Sequence, residues 1–282
     1  MRVTSLIENS CLENASDLVP EFGLSMHIEL GGSRVLFDMG SSRAFADNAA
    51  HLDVDIAAVD AAVVSHQHFD HGGGLDAFLE ANDSATIYLR EAPLADRYFK
   101  AFGILKRPIG IDLGLVERHR ERFAFVNGKR EIAPGVFVVT AIGSGHQRPR
   151  GNRRLFVQRG KSMTRDPFDH ELVMVAIEDD GMVVFTGCSH CGVLNLVDAA
   201  VEAFPSQPVK ALIGGFHLIG LPFYDSMAAS RREVEALGSE VLERVSGPIL
   251  TGHCTGKKAF PILQDVMGDR LRSFPTGAVA EF

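Results

Sequence analysis

The stretch Ser-His-Gln-His-Phe-Asp-His-Gly-Gly-Gly at 65–74 constrains this chain more than any other feature. Four side chains of the kind that bind metals fall within six residues: His66, His68, Asp70 and His71. In an extended chain, residues two apart point to the same side, so His66 and His68 can hold one ion together. The turn into a following helix directs Asp70 and His71 to another side, where they can hold a second ion. Imidazole and carboxylate donors suit zinc first, with manganese or iron as alternatives, and do not suit calcium.

The rest of the chain repeats one order of predicted elements. Glycine-turn hairpins at 23–40 and 171–189 are each followed by a helix, a strand, a loop that ends in histidine, another helix and another strand. This order divides the chain into halves of about 1–130 and 131–282. The region 91–130 is the least regular, and its segment 93–103 is predicted as a helix. The region is either a wall of a substrate cleft or plain surface, and the sequence favours neither.

The pattern His-x-His-x-Asp-His-x-Gly at 66–73 resembles the signature of the metallo-β-lactamase superfamily. The resemblance implies an α/β fold of four layers, an αββα sandwich in which two mixed β-sheets are flanked by helices. It also implies a single domain over 1–282, because the metal site of this fold needs both halves. Phrases at 186–192, 214–218 and 253–256 resemble a branch of the superfamily named after an archaeal enzyme of a pterin pathway.

Further metal ligands follow from the resemblance. His253 ends the last full strand, where superfamily members commonly place a metal-binding histidine. Cys188 follows a strand and Thr-Gly, where many members have a bridging aspartate and zinc β-lactamases have a cysteine. The third histidine of the first ion is predicted to be His146, after a Gly-Ser-Gly turn, with His190 as the competing candidate. The remaining residues of ligand type are interpreted as structural: Cys191, His27, His51, His119 and His170.

Substrate contacts are predicted from basic and imidazole side chains near these ligands. Between Gln147 and Asp166 the chain carries seven Lys or Arg residues and no acidic residue. Arginine binds phosphate and carboxylate groups through two parallel hydrogen bonds, so Arg148 and Arg150 are candidates for binding a substrate anion. A mobile loop that meets only water is the equal alternative. His217, in the loop that corresponds to the motif loop in the second half, is a further candidate for the substrate pocket.

Composition excludes several other functions. The net charge of -8 argues against nucleic-acid binding, which usually requires a basic face. No apolar run reaches the ~20 residues that a membrane helix requires, and the N-terminus lacks the apolar core of a signal peptide. Four cysteines in 282 residues do not form a disulfide framework, so a reducing, cytoplasmic location is expected.

These observations predict a hydrolase with two divalent metal ions. The expected reaction is attack by a metal-bound hydroxide on a small anionic ester, phosphoester, lactone or amide, with a pterin- or phosphate-containing substrate as a specific candidate. Asp70 orients the nucleophile, and His190 or His217 donates to the developing oxyanion. Two alternatives belong to other classes: an iron-dependent oxidoreductase that resembles persulfide dioxygenases, and a metal-binding metabolite sensor without catalytic activity.

Overall fold

The computed structural model describes residues 1–221 and 226–282, and its strands form three sheets. In chain order the strands are β1 (Arg2–Ile7), β2 (Ser25–Leu30), β3 (Ser33–Phe37), β4 (Ala61–Val63), β5 (Thr86–Arg90), β6 (Asp96–Ala101), β7 (Leu105–Pro108), β8 (Phe123–Val126), β9 (Lys129–Ala133), β10 (Val136–Val139), β11 (Leu155–Arg159), β12 (Ser162–Arg165), β13 (Val173–Glu178), β14 (Gly181–Phe185), β15 (Val209–Ile213), β16 (Ile249–Thr251), β17 (Leu271–Ser273) and β18 (Val279–Glu281). The α-helices are α1 (Ala44–His51), α2 (Phe69–Gly72), α3 (Leu75–Ala81), α4 (Leu113–Arg118), α5 (Val193–Ala203), α6 (Arg231–Arg244) and α7 (Ala259–Met267).

Two of the sheets have seven strands each and mixed direction. Their strand orders are β18-β1-β2-β3-β4-β5-β8 and β17-β16-β15-β14-β13-β10-β9. In each sheet an antiparallel hairpin, β2–β3 or β13–β14, continues into parallel strands. The β2–β3 turn requires Gly31 and Gly32, because both have positive φ angles, of 58° and 88°. The two hairpins predicted from the sequence are therefore confirmed.

Three apolar cores separate four layers. One core lies between the two large sheets and contains Ile28 and Phe37 from the first and Met174 and Phe185 from the second. A second core joins the first sheet to helices α1, α3 and α4, and a third joins the second sheet to α5, α6 and α7. The strands in the centre are apolar on both faces because each face is covered. The αββα sandwich predicted above is confirmed.

The third sheet, of order β12-β11-β6-β7, corrects the helix predicted at 93–103. From Asp96 to Ala101 exposure alternates with a period of two, which is a strand pattern, and β6 pairs with both β7 and β11. Phe102 and Gly103 then take positive φ angles, of 55° and 72°, and form the β6–β7 turn. Pairing with two neighbouring strands outweighs the weak local preference for a helix.

Candidate metal centre

All the predicted ligands except His146 meet at one edge of the two large sheets because parallel strands end there. The motif loop begins after β4, and Asp38 follows the neighbouring strand β3. In the second sheet Cys188, His217 and His253 follow the parallel strands β14, β15 and β16. Loops at the carboxyl ends of neighbouring parallel strands lie side by side, so residues far apart in sequence share one site.

The imidazole group consists of His66, His68 and His190. One ring nitrogen from each lies within 4.8 Å of the others, and all three residues are buried. His66 Nε2 and His68 Nδ1 are 3.1 Å apart. Within the described part of the chain, His68 Nε2 and His190 Nε2 are buried without a hydrogen-bond partner. Buried polar atoms without partners are costly, so nitrogens that converge in this way fit a bound metal ion.

The mixed group consists of Asp70, His71, Cys188 and His253. Cys188 Sγ lies 3.2 Å from His71 Nε2 and 3.3 Å from His253 Nε2. Asp70 Oδ2 lies 3.2 Å from His253 Nε2 and 3.7 Å from His71 Nε2. Four buried donors, two nitrogens with one sulfur and one oxygen, form a set that fits zinc or another borderline transition metal. The residues present therefore fit two divalent ions.

Outer hydrogen bonds hold the mixed group in place. His71 Nδ1 and Asp38 Oδ2 are 2.6 Å apart, and the Asp38 carboxylate also accepts from Ser65 N and Oγ. His253 Nδ1 lies 3.0 Å from Asn9 Oδ1, and the Glu8 carboxylate accepts from His253 N. Partners of this kind fix the orientation of an imidazole and which of its nitrogens faces the metal. Local sequence patterns do not single out Asp38, Asn9 or Glu8 as supporting residues, although Asp38 has one signal: it directly follows the strand beside the motif strand.

The imidazole group is supported differently. Ser65 Oγ lies 2.9 Å from His66 Nδ1, and Asn152 Oδ1 lies 2.9 Å from His190 Nδ1. The His190 ring is stacked on Phe168, with centroids 4.3 Å apart and an interplanar angle of 11°. The ring nitrogens Nδ1 of His66 and His190 thus have neutral partners, whereas His71 Nδ1 faces the Asp38 carboxylate. Carboxylates lie near the imidazole group as well, since Asp166 is close to His68 and Glu171 accepts from His190 N.

The two groups differ in the pKa values of their histidines. Burial lowers the pKa of His68 to about 3 and holds the pKa of His66 well below its usual value of 6.5. Burial also disfavours the charged form of His71, but Asp38 and Asp70 outweigh it and raise the pKa of His71 to about 9. Burial raises the pKa of the Cys188 thiol. Without a metal, the imidazole group is thus neutral and the mixed group holds protons.

Positive backbone angles are concentrated in this site. Asp38, Ser189, His217 and His253 have φ between 47° and 60°, in the left-handed region that non-glycine residues seldom adopt. Each stands in a loop that follows a parallel strand. Such strain is retained when surrounding structure enforces it, and it is concentrated at functional sites.

The structure does not bring His146 to the other ligands. Its Nε2 lies 2.8 Å from Asp198 Oδ2 and 3.2 Å from Arg244 Nη2, on the outer side of α5. Asp198 and Arg244 lie on the neighbouring helices α5 and α6 and supply charge partners for this imidazole. His190, which the sequence analysis kept as the alternative, stands in the imidazole group instead.

Other predicted residues lie around two neighbouring cavities. The metal groups face a cavity of about 530 Å³ whose lining includes His68, Asp70, Cys188, His190 and His217. Its other walls are mostly apolar. They include Phe99 on β6, Leu155 on β11 and Ile109 directly after β7, together with Phe22 and Ile219. Part of the irregular region 91–130 thus lines this cavity, which favours the cleft wall over the plain surface that the sequence left as an equal alternative.

The candidate arginines lie beside the second cavity, of about 420 Å³. Arg148 Nη1 donates to Pro167 O, and Arg150 Nη2 lies 2.5 Å from Glu233 Oε1. His217 lines both cavities and separates the arginines from the metal groups. Its Nδ1 has no hydrogen-bond partner among the residues described.

His170, interpreted above as structural, lies directly behind the motif. Its Nδ1 accepts from the backbone N of Gln67, the residue between His66 and His68, and its Nε2 lies 3.3 Å from Asp166. It therefore holds the motif loop in place, and its ring centroid is 5.7 Å from that of His68. No local pattern relates His170 to the motif, because Gln67, whose backbone it contacts, lies 103 positions away.

Known proteins share this sequence pattern and fold. The model of the metallo-beta-lactamase superfamily matches residues 18–200. The 7,8-dihydropterin-6-methyl-4-(beta-D-ribofuranosyl)-aminobenzene-5'-phosphate synthase of Methanocaldococcus jannaschii is 24% identical over 276 residues, which cover 93% of this chain and 90% of that protein. An uncharacterized protein of the same archaeon is 26% identical over 250 residues, 87% of this chain and 88% of that protein. The pterin-pathway branch predicted from the sequence is therefore confirmed as a resemblance.

Solved structures agree with these matches. A metal-dependent hydrolase of the β-lactamase superfamily superposes with a TM-score of 0.83 at 28% identity, covering 100% of this chain and 99% of that one. Zinc-bound PqqB from Methylobacterium extorquens, at 12% identity, shares the fold with a TM-score of 0.61 over the full length of both chains. Among the described helices, none is both long and apolar enough to cross a membrane. The chain belongs to the metallo-β-lactamase superfamily.

Proposed function

We propose that this protein is a hydrolase that uses two divalent metal ions, with zinc as first choice, on a small anionic ester, phosphoester, lactone or amide. The observation that carries the proposal is the pair of buried donor groups on one cavity wall. Ions held there would supply Lewis-acid activation of water and of the scissile group. The named synthase among the relatives makes a pterin- or phosphate-containing substrate a specific candidate.

We propose separate roles for Asp70 and for the residues that would hold the ions. Asp70 lies between His71 and His253 and faces the cavity, so its carboxylate can orient the attacking water and carry a proton to the leaving group. Histidines 71 and 253 and Cys188 complete one ligand set, while His66, His68 and His190 form the other. These roles follow from which buried atoms converge on each point.

His217 is proposed to contact the substrate. It is buried at the cavity wall beside Cys188 and His190, and its Nδ1 has no partner in the described structure. A free imidazole nitrogen at this place can donate to the negative charge that develops on the substrate oxygen. Arg148 and Arg150, beyond His217, are proposed to bind the anionic end of a substrate that extends into the second cavity.

The apolar walls serve the same reaction by excluding bulk water. Phe22, Phe99 and Leu155 face the metal groups across the cavity, and electrostatic interactions are stronger where water is excluded. We also propose that residues 1–282 act as one domain, because each metal group takes ligands from both halves. A reducing, cytoplasmic location suits the four free thiols, one of which is the proposed ligand Cys188.

A substrate panel tests the proposal. The protein is loaded with zinc, manganese or iron and assayed against phosphomonoesters, phosphodiesters, carboxylic esters, lactones and amides, including pterin phosphates. We expect hydrolysis of at least one anionic class that is abolished by chelation and restored by the metal. Oxygen consumption with a persulfide by the iron form alone would contradict hydrolysis and favour the oxidoreductase. Stabilisation by a metabolite without any turnover would favour the sensor.

A further inference from the structure

The two faces of the third sheet differ sharply in chemistry. Phe99 on β6 and Leu155 on β11 pair with each other and line the metal cavity. Their sequence neighbours Lys100 and Phe156 point to the opposite face, because successive residues of a strand alternate sides. On that outer face, Lys100 lies over the ring of Phe156, and Lys106 lies over the ring of Tyr98.

The third sheet and the segment before β11 carry a concentration of positive charge that the rest of the chain lacks, although Arg97 is buried and Arg107 lines the metal cavity. The segments 96–108 and 150–165 contain ten Lys or Arg residues and one Asp, in a chain with 28 basic and 36 acidic residues. The residues outside these two segments therefore carry a large excess of acidic over basic side chains. Such segregation produces a local positive potential that attracts anions to one place.

A cavity of about 340 Å³ lies within this charge. Three arginines and one lysine line it together with the turn after β6: Arg153, Arg154, Arg165 and Lys100. In the part of the chain that the structure describes, none of these four side chains forms a salt bridge with a carboxylate. Arg150 and Arg159 nearby do, with Glu233 and Asp169. The positive charges in the cavity are thus not paired with carboxylates, whereas those of Arg150 and Arg159 are.

We propose that this cavity is a second binding site, separate from the metal centre, for a small ligand with adjacent phosphate groups. Three arginines and one lysine line the same cavity, and guanidinium pairs with phosphate through two parallel hydrogen bonds. The ring of Phe156 holds the Lys100 ammonium by a cation–π contact at 5.0 Å. The ligand is a polyphosphate, either inorganic or attached to a nucleoside.

The site would act on the metal cavity through the sheet itself. Phe156 pairs across strands with Arg165 on one side and Tyr98 on the other, while Leu155 and Phe99 beside them contact the metal cavity. A ligand that clamps β11 to β12 on the outer face therefore rigidifies the wall that the substrate touches. This site stands independently of the proposed hydrolysis.

Calorimetric titration with pyrophosphate and with ADP tests the site. The variants are R153Q/R165Q in the cavity and R232Q/K258Q as the control, in which two exposed basic residues outside the cavity are neutralised. We expect binding to the unaltered protein that weakens with salt. It should weaken about tenfold for each arginine removed in the cavity variant, and by less than about twofold in the control.

Three results would overturn the site. They are no binding of either probe to the unaltered protein, equal weakening in both double variants, and binding that survives in R153Q/R165Q but is lost in H66A. The last would place the phosphates on the metal centre. Tighter binding of ADP than of pyrophosphate supports the site and identifies a nucleoside as part of its ligand, and equal binding supports it with phosphate alone recognised. Thermal unfolding of each variant confirms that it is folded.

Discussion

The imidazole group and the mixed group arise from one short motif, yet their surroundings give them opposite properties. His66 and His68 are buried among other rings, which keeps them neutral. His71 is buried between Asp38 and Asp70, which keeps it protonated until a metal displaces the proton. A difference of three to five positions in sequence thus decides whether an ion must compete with protons.

The two groups also differ in how far their donor atoms would neutralise the positive charge of a bound ion. Three neutral imidazoles would leave a divalent ion its full charge, whereas a carboxylate and a thiolate would largely neutralise it. In the proposed function, an ion held by the imidazole group would therefore polarise a bound substrate more strongly, and the residues of the mixed group would position water beside Asp70. The predictions below separate the two groups, beginning with the largest effect.

Removal of the Asp70 carboxylate is expected to have the largest effect. D70A should lose the ion of the mixed group and reduce kcat/KM by about 10³-fold, since both a ligand and a proton carrier are removed. The ion of the imidazole group should remain. Metal analysis and kinetics measure both effects, with D76A, an exposed carboxylate on α3, as control. D70A with full metal content and full turnover would contradict the assignment.

The two groups should respond differently to pH. Metal binding to the mixed group displaces protons from His71, whose pKa is about 9, and from Cys188, whose pKa burial raises. Its zinc affinity should therefore rise by about 100-fold per pH unit between about pH 6 and 8. The imidazole group, with the pKa of His68 at about 3, should change by less than about twofold. Competition with a chelating dye across this range measures both affinities, and parallel curves would contradict the comparison.

Each outer hydrogen-bond partner should act chiefly on one group. D38N removes the charge that holds His71 and should weaken the mixed group by about 10- to 100-fold. N152A removes the partner of His190 Nδ1 and should weaken the imidazole group by about tenfold. Zinc affinities of both variants, measured at one pH, check this. D38N should have a smaller effect on the imidazole group, because Ser65 Oγ joins Asp38 to His66 Nδ1. Equal weakening of both groups by either variant would show that the groups are not separable.

Removal of the His146 imidazole should have the smallest effect on metal binding and on kcat/KM. H146A should retain both ions and change kcat/KM by less than about twofold, because the imidazole contacts Asp198 and Arg244 instead of the ligand groups. H190A, measured in parallel, should lose the ion of the imidazole group. Loss of an ion in H146A would restore the assignment that the sequence suggested.

The sequence predicted the fold and the location of the site because their signals are local. The spacing of the four motif residues alone predicts that the side chains of His66 and His68 point to one side and those of Asp70 and His71 to another. The structure places the first pair and the second pair in different groups. Hairpins and buried strands likewise follow from periodicity over a few residues. Sequence patterns over a few residues are therefore sufficient to predict a metal-binding side chain when it lies at the end of a predictable strand or helix.

The residues missed by the sequence analysis depend on contacts across the chain. His146 and His190 both follow glycine or serine turns, and only the position of Asp198 on α5 shows which one has another partner. Asp38 and Glu8 support ligands that are 33 and 245 positions away. β6 becomes a strand because β7 and β11 pair with it, which no window of its own sequence shows.

Anomalous diffraction from crystals grown with zinc, combined with metal analysis in solution, tests the central claim most directly. The account predicts two ions per chain, one bound by His66, His68 and His190 and one by Asp70, His71, Cys188 and His253. A single ion, no ion, or a first ion bound by His146 instead of His190 would contradict it.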